Sequence, residues 1–391
     1  MQTLFSVVCT VLAVTCTRAT PYPFDVTTLT APDRSIYASF VSIGATLTEL
    51  WVPDKNGTMR DVLGYDDNML LLTDPQHPYY NAIIGRYANR IKNGTFTIGK
   101  NVYHTPINDA LNVSTLHGGT IGWDRRNWTI VFKSDTSVTY KHVDTADEGF
   151  PGDVTVFVTH SVSNGGILHS AVHATATELT PIMVTQHIYW NLDAFLNPNG
   201  TINTGNAMIL GHFLRIPASR VLAVDGAEIP TGALIDLNNA SNADFDFCAG
   251  KLIETAFNDP GEEPQLRVIG GEINGITCFG AQASRGFYDN AWIYDDPLSP
   301  RRTTTLISPI TGIQLDILTN QPAMQIYTTF LDEPRKAVHG GPNLTYDLFS
   351  AVALEQEGWL DAINTPAFHV DQIYGLGREF DWSATYQFSV K

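Results

Sequence analysis

Three features of the chain predict an all-β fold, a large antiparallel β-sandwich with long loops. Short β-branched and aromatic runs recur between turn residues, one pair of runs has the form of a hairpin, and no strongly amphipathic helix of three turns or more is present. Strands that recur without helices between them lack the crossovers that a parallel sheet requires, so antiparallel pairing follows.

The elements follow in order. Strands are expected over residues 35–41, over 95–98 ahead of the turn Gly99-Lys100-Asn101, and over 137–143. The hairpin comes next. Residues 153–162 alternate Val154, Val156 and Val158 against Thr155, Phe157 and Thr159. Asn164-Gly165-Gly166 then turns the chain into 167–176, where Leu168, Ser170, Val172 and Ala174 share a face. Residues 185–192 read as a further strand, with Thr185, His187, Tyr189 and Asn191 on one face and Gln186, Ile188, Trp190 and Leu192 on the other. In 351–355 the same period separates Val352 and Leu354 from Glu355. No linker, charge block or repeat divides 20–391, and a single domain is expected there.

Composition narrows the class of function. With 43% hydrophobic and 16% charged residues the chain is globular, and a formal charge of -17 disfavours nucleic acid and anionic membranes as partners. Residues 1–19 carry an apolar run too short to span a bilayer and are expected to be a cleaved secretion signal, leaving a mature form without a membrane segment. Seven sequons, at Asn56, Asn93, Asn112, Asn127, Asn199, Asn239 and Asn343, suit a secreted, extracellular glycoprotein. Cys9 and Cys16 would leave with the signal; Cys248 and Cys278 would remain, and their pairing is open. No zinc framework is present in the sequence, and no metal is expected.

Several clusters carry chemistry. A histidine flanked by aromatic residues, as in 185–192, suits proton transfer on a sugar, although a satisfied structural histidine reads the same way. Gly85-Arg86-Tyr87-Ala88-Asn89-Arg90-Ile91 offers guanidinium and amide donors for hydroxyl groups, or a surface ion pair. Leu116-His117-Gly118-Gly119 gives His117 room to turn inward, while the spacing of a phosphate-binding loop is absent. Tyr288-Asp289, Gln325 with Tyr327, and Glu355 complete the set.

Together, and in this order, these clusters resemble the motifs of the aldose 1-epimerases (galactose mutarotases) over nearly all of residues 20–391. Supporting segments are the stretch from Ile216-Pro217-Ala218 through Asp225 to Ile229-Pro230-Thr231-Gly232, then Phe245-Asp246-Phe247 and Asp361-Ala362-Ile363-Asn364. The resemblance implies a β-supersandwich, no cofactor, and a small-molecule aldose such as glucose or galactose, with the chain a monomer or homodimer. It makes His187 the general acid and Glu355 the general base, with Asn89, Arg90, His117, Tyr189, Asp289 and Gln325 binding the sugar. Arg90 is preferred to Arg86 because the family's sugar-binding pair is the Asn-Arg before Ile.

Two stretches depart from the family pattern, Gln186-His187-Ile188-Tyr189-Trp190 around the acid and Gln356-Glu357-Gly358-Trp359 after the base. They bear on sugar preference. Trp190 is expected to pack behind the site. Two other readings use the same residues. A glycoside hydrolase would pair Glu355 with Asp289 at ~5–9.5 Å, and a secreted carbohydrate-binding protein would use the sugar contacts alone.

Overall fold

The computed structural model describes residues 22–63, 68–75, 77–203, 209–256, 288–296, 304–329, 336–337, 343–344 and 349–391. Within them the protein is nearly all β, with one four-residue α-helix, Leu70–Thr73, and a few 3-10 turns. Every strand ladder among the described residues is antiparallel.

Two sheets make the body of the sandwich. The larger has nine strands and centres on the expected hairpin, Val154–Ser163 with Ile167–Ala176, which turns through Gly165 and Gly166 at positive φ. Its alternation is the one legible in the sequence: Val154, Val156 and Val158 face inward, with Val156 opposite Ala174 and Val158 opposite Val172. The strand Phe380–Val390 extends the sheet and carries Trp382, Tyr386 and Phe388 into the core. The second sheet has six strands, ordered Tyr189–Trp190, Val352–Glu357, Ala323–Thr328, Asp289–Ile293, Arg220–Val224 and Pro230–Asp236.

Register in the second sheet gives it two different faces. Trp190, Val352, Leu354, Ile326, Met324 and Trp292 point into the core shared with the nine-stranded sheet, Trp190 packing 5.4 Å from Tyr386 and 6.0 Å from Phe388 between ring centres. Trp190 thus lies behind the site, as expected. Cross-strand partners place Tyr189, Ala353, Tyr327 and Asp289 in one row of the opposite face, with Glu355 and Gln325 in the next. Both faces are covered, since Val352–Glu357 is buried along its whole length.

Two expected strands differ from those observed. The first begins at Tyr37, because Asp33 Oδ1 accepts both the backbone N–H and the hydroxyl of Ser35 and closes a local turn there. The second, 185–192, is interrupted. Thr185–Gln186 pairs with Ile83–Ile84 while Tyr189–Trp190 pairs with Val352–Glu357, so the chain leaves one ladder and enters another at His187-Ile188. The backbone of His187 bonds instead to Ala82 O and Asn81 N–H at 3.0 and 2.9 Å. Residues 1–21 and Cys278 lie outside the described residues, and Cys248 is an exposed thiol.

Candidate active site

The polar face of the six-stranded sheet gathers all the expected site residues. Asn89 and Arg90 arrive on the short strand Arg90–Lys92, which pairs with Ser114–Leu116 so that Arg90 lies opposite Leu116 and His117 follows at once. Asn89 N–H donates to His117 Nδ1 at 3.1 Å, and His117 N–H donates to Asn89 O at 3.0 Å. Two segments distant in sequence are thereby locked together. The glycine after His117 is needed in this turn: Gly118 has φ +89°, and a Cβ there would stand 2.0 Å from the carbonyl oxygen of Gly85.

At the centre His187 Nε2 lies 3.4 Å from Glu355 Oε1, with the side chains 6% and 2% exposed. Tyr189 stacks on the imidazole at 4.9 Å, and its hydroxyl donates to Pro78 O at 2.8 Å. Gln325 Nε2 donates to Asp289 Oδ1 at 2.5 Å. Arg90 forms an ion pair with Glu228 and reaches Asn89 Oδ1 at 3.4 Å. Its neighbour in sequence, Arg86, behaves differently: wholly buried, it donates to Asp144, to the carbonyls of Pro151 and Gly152, and to Thr180. Arg86 is a clamp behind the site, and Arg90 faces it.

Three further residues complete the wall. Tyr79 sets its ring 4.5 Å from His117 and 6.1 Å from His187, Glu228 holds Arg90, and Glu357 accepts Asn89 Nδ2 at 3.2 Å. Only Glu357 had a signal in the sequence, since in a strand it shares the face of Glu355 two residues away. Glu228 arrives on the turn between two strands, and nothing local marks it.

Burial governs the electrostatics. It lowers His187 to about 4, opposed by a backbone hydrogen bond and Asp124, and it holds His117 well below the ordinary range with His187 and Arg90 adding to the effect. Both rings are neutral near pH 7. Because His117 Nδ1 accepts a backbone N–H, its proton sits on Nε2, which becomes a fixed donor. Burial raises Glu355 well above the carboxylate range, with Glu357 and Asp289 adding to it, and raises Asp289 to about 7 with Glu228 adding. His187 Nδ1, Glu355 Oε2, Gln325 Oε1 and Arg90 Nε are buried without a hydrogen-bond partner among the described residues, as a site meant for a polar ligand would leave them.

His117, His187 and Glu355 have donor atoms within 4.8 Å of one another, a set that a metal ion could use. The tautomer of His117 opposes this, because the nitrogen available to an ion carries the proton. A neutral polyol that accepts from Nε2–H fits the trio better.

Similarity to known proteins assigns the family. The aldose 1-epimerase family profile matches residues 25–387. A probable aldose 1-epimerase of Arthroderma benhamiae is 36% identical, over 95% of this chain and 88% of that protein. The galactose mutarotase of Mus musculus is 30% identical over 90% of both. Among solved structures, an aldose epimerase homologue from C. elegans superposes with a TM-score of 0.75 at 27% identity, covering 93% of this chain and 99% of that one. A galactose 1-epimerase from Lactobacillus acidophilus, 18% identical with a TM-score of 0.67 and 92% of each chain covered, bears on the fold alone. The chain belongs to the aldose 1-epimerase family and is an isomerase with the β-supersandwich fold of the galactose mutarotases.

Proposed function

We propose that this enzyme interconverts the α and β anomers of free aldoses such as glucose and galactose, with Glu355 as general base and His187 as general acid. The supporting observation is their contact of 3.4 Å in a buried site where each keeps one unpartnered atom. Glu355 takes the proton of the C1 hydroxyl, the bond from C1 to the ring oxygen breaks, and His187 protonates that oxygen. Rotation about C1–C2 exposes the other carbonyl face, and the same groups run the steps in reverse.

Both groups rest neutral, with the proton on Glu355. One proton shift along the 3.4 Å contact makes the carboxylate and the imidazolium without changing the net charge, and a bound polar sugar offsets the cost of separating them. Around the sugar, His117 Nε2–H and Arg90 supply donors, and Asp289 with Gln325 supply acceptors. Tyr189 contributes its ring rather than its hydroxyl, which is already bonded. These contacts orient the substrate.

Polarimetry on freshly dissolved α-D-glucose or α-D-galactose tests the assignment. Glu355→Gln and His187→Asn should each lose roughly 10²–10⁴-fold in rate with the fold intact. Wild-type rates in both variants would remove both roles.

Secretion belongs to the same reading. It is supported by the apolar segment within residues 1–19 and by Asn56, Asn93, Asn112, Asn127, Asn199 and Asn239, all exposed. Expression in a eukaryotic secretory host should give protein in the medium whose mass falls on treatment with an N-glycanase; retention in the cell with an unchanged mass would contradict it.

A further inference from the structure

Glu357 takes no part in the proton transfers above, yet it is fully buried on the same face of the same strand as Glu355. The rise of a strand sets their Cα atoms about 7 Å apart. Glu357 Oε1 accepts from Asn89 Nδ2, and Oε2 has no partner among the described residues. The titratable and charged groups facing it are Glu355 on its own strand, Asp289 across the sheet, Arg90 beside Asn89, and Tyr87 from the segment before them.

A charge count decides its state. Five carboxylates, Asp109, Glu228, Asp289, Glu355 and Glu357, act on one guanidinium, and that guanidinium is ion-paired to Glu228. Burying Asp289, Glu355 and Glu357 all as anions would cost more than protonating them. Burial accordingly moves Glu357 up to about 8, with the Asn89 bond and Arg90 opposing and Asp289 adding.

We propose that Glu357 is a positioning residue that works as a neutral carboxylic acid. Its carbonyl oxygen anchors the Asn89 amide, and its ionisation in alkaline solution turns the site off by placing a second negative charge beside Glu355. The effect on activity rests on Glu355 being the base. As pH rises through the titration of Glu357, the new anion strengthens the hold of Glu355 on its proton and disfavours the carboxylate that the reaction needs. The enzymatic rate, corrected for the alkaline background reaction, therefore falls above about pH 8.

Glu357→Gln tests this directly. The amide keeps the acceptor for Asn89 and cannot ionise, so the folded variant should remain active without the parent's alkaline fall, the ratio of its rate to the parent's rising several-fold between about pH 7 and about pH 9. An alkaline fall identical to the parent's, or loss of activity at every pH in a folded variant, would overturn the proposal. Glu357→Leu removes the anchor and should raise KM several-fold with kcat within about twofold; an unchanged KM would refute the anchoring role.

Should neither variant fold, infrared titration of the parent carrying carboxyl-¹³C glutamate follows both buried glutamates at once. The protonated band should hold the contributions of Glu355 and Glu357 at about pH 7 and lose about half its intensity toward about pH 9 as Glu357 ionises and Glu355 keeps its proton; a constant or absent band would overturn the proposal. This last measurement needs no turnover. Failure of the parent to mutarotate any aldose would thus count against the proposed function and leave the state of Glu357 to be decided separately.

Discussion

Arg86 and Arg90 stand four residues apart with opposite work to do. Arg86 neutralises Asp144 in the interior and satisfies two carbonyls, so Arg86→Met would strand a buried carboxylate and leave those acceptors unpaired. Breaking such a pair costs about 3–5 kcal/mol. Urea denaturation should show this loss, while KM measured where the variant is folded stays close to that of the parent. The pH dependence has a definite sign. Burial raises the Asp144 carboxyl, but its bonds to Arg86 outweigh that and leave it below the usual value. A depressed folded-state value contributes stability above the unfolded value, near 3.9, that disappears as pH falls through the folded one. The parent should therefore lose stability below about pH 4, and Arg86→Met should lose less over the same interval. A steeper acid loss in the variant would contradict the pairing.

At the scale of elements, the turn carrying His117 is the most exacting piece of the site. Gly118→Ala would press a Cβ onto the Gly85 carbonyl at a positive φ, so either the turn or the Gly85 segment must move. The expected cost is more than about 1 kcal/mol of stability, together with a raised KM as His117 and Asn89 lose their mutual bonds. Unaltered kinetics would show that the turn tolerates the shift. The alternation of Val352–Glu357 is legible in the sequence where Val352 and Leu354 flank the face of Glu355; Gln356 continues the apolar side with a polar residue, and Glu357 follows Glu355 at the same period. The interruption at His187 is not legible. A strand that changes partners keeps its hydrophobic pattern, and what ends each ladder is supplied by Asn81 and Ala82, about a hundred residues earlier in the chain. Likewise the Asn89-Arg90 and His117 segments are recognisable singly as polar clusters beside turns, whereas Glu228 depends on how two distant strands bring their connecting turn over Arg90.

For the molecule as a whole, the formal charge of -17 disfavours anionic ligands at long range but exerts no steering on a neutral sugar. Changing salt from about 0.05 to 0.5 M should leave kcat/KM for glucose or galactose within about twofold, and a steep salt dependence would show that substrate entry involves a charged partner. The sandwich itself follows from local patterns, because both sheets are built from antiparallel neighbours and the hairpin lies at the heart of the larger one. The change of ladders at His187 has a mechanical meaning beyond its place in the site. With Thr185–Gln186 in one sheet and Tyr189–Trp190 in another, the two-residue link His187-Ile188 phase-locks the two, and a slip of either by one position would carry the imidazole away from Glu355.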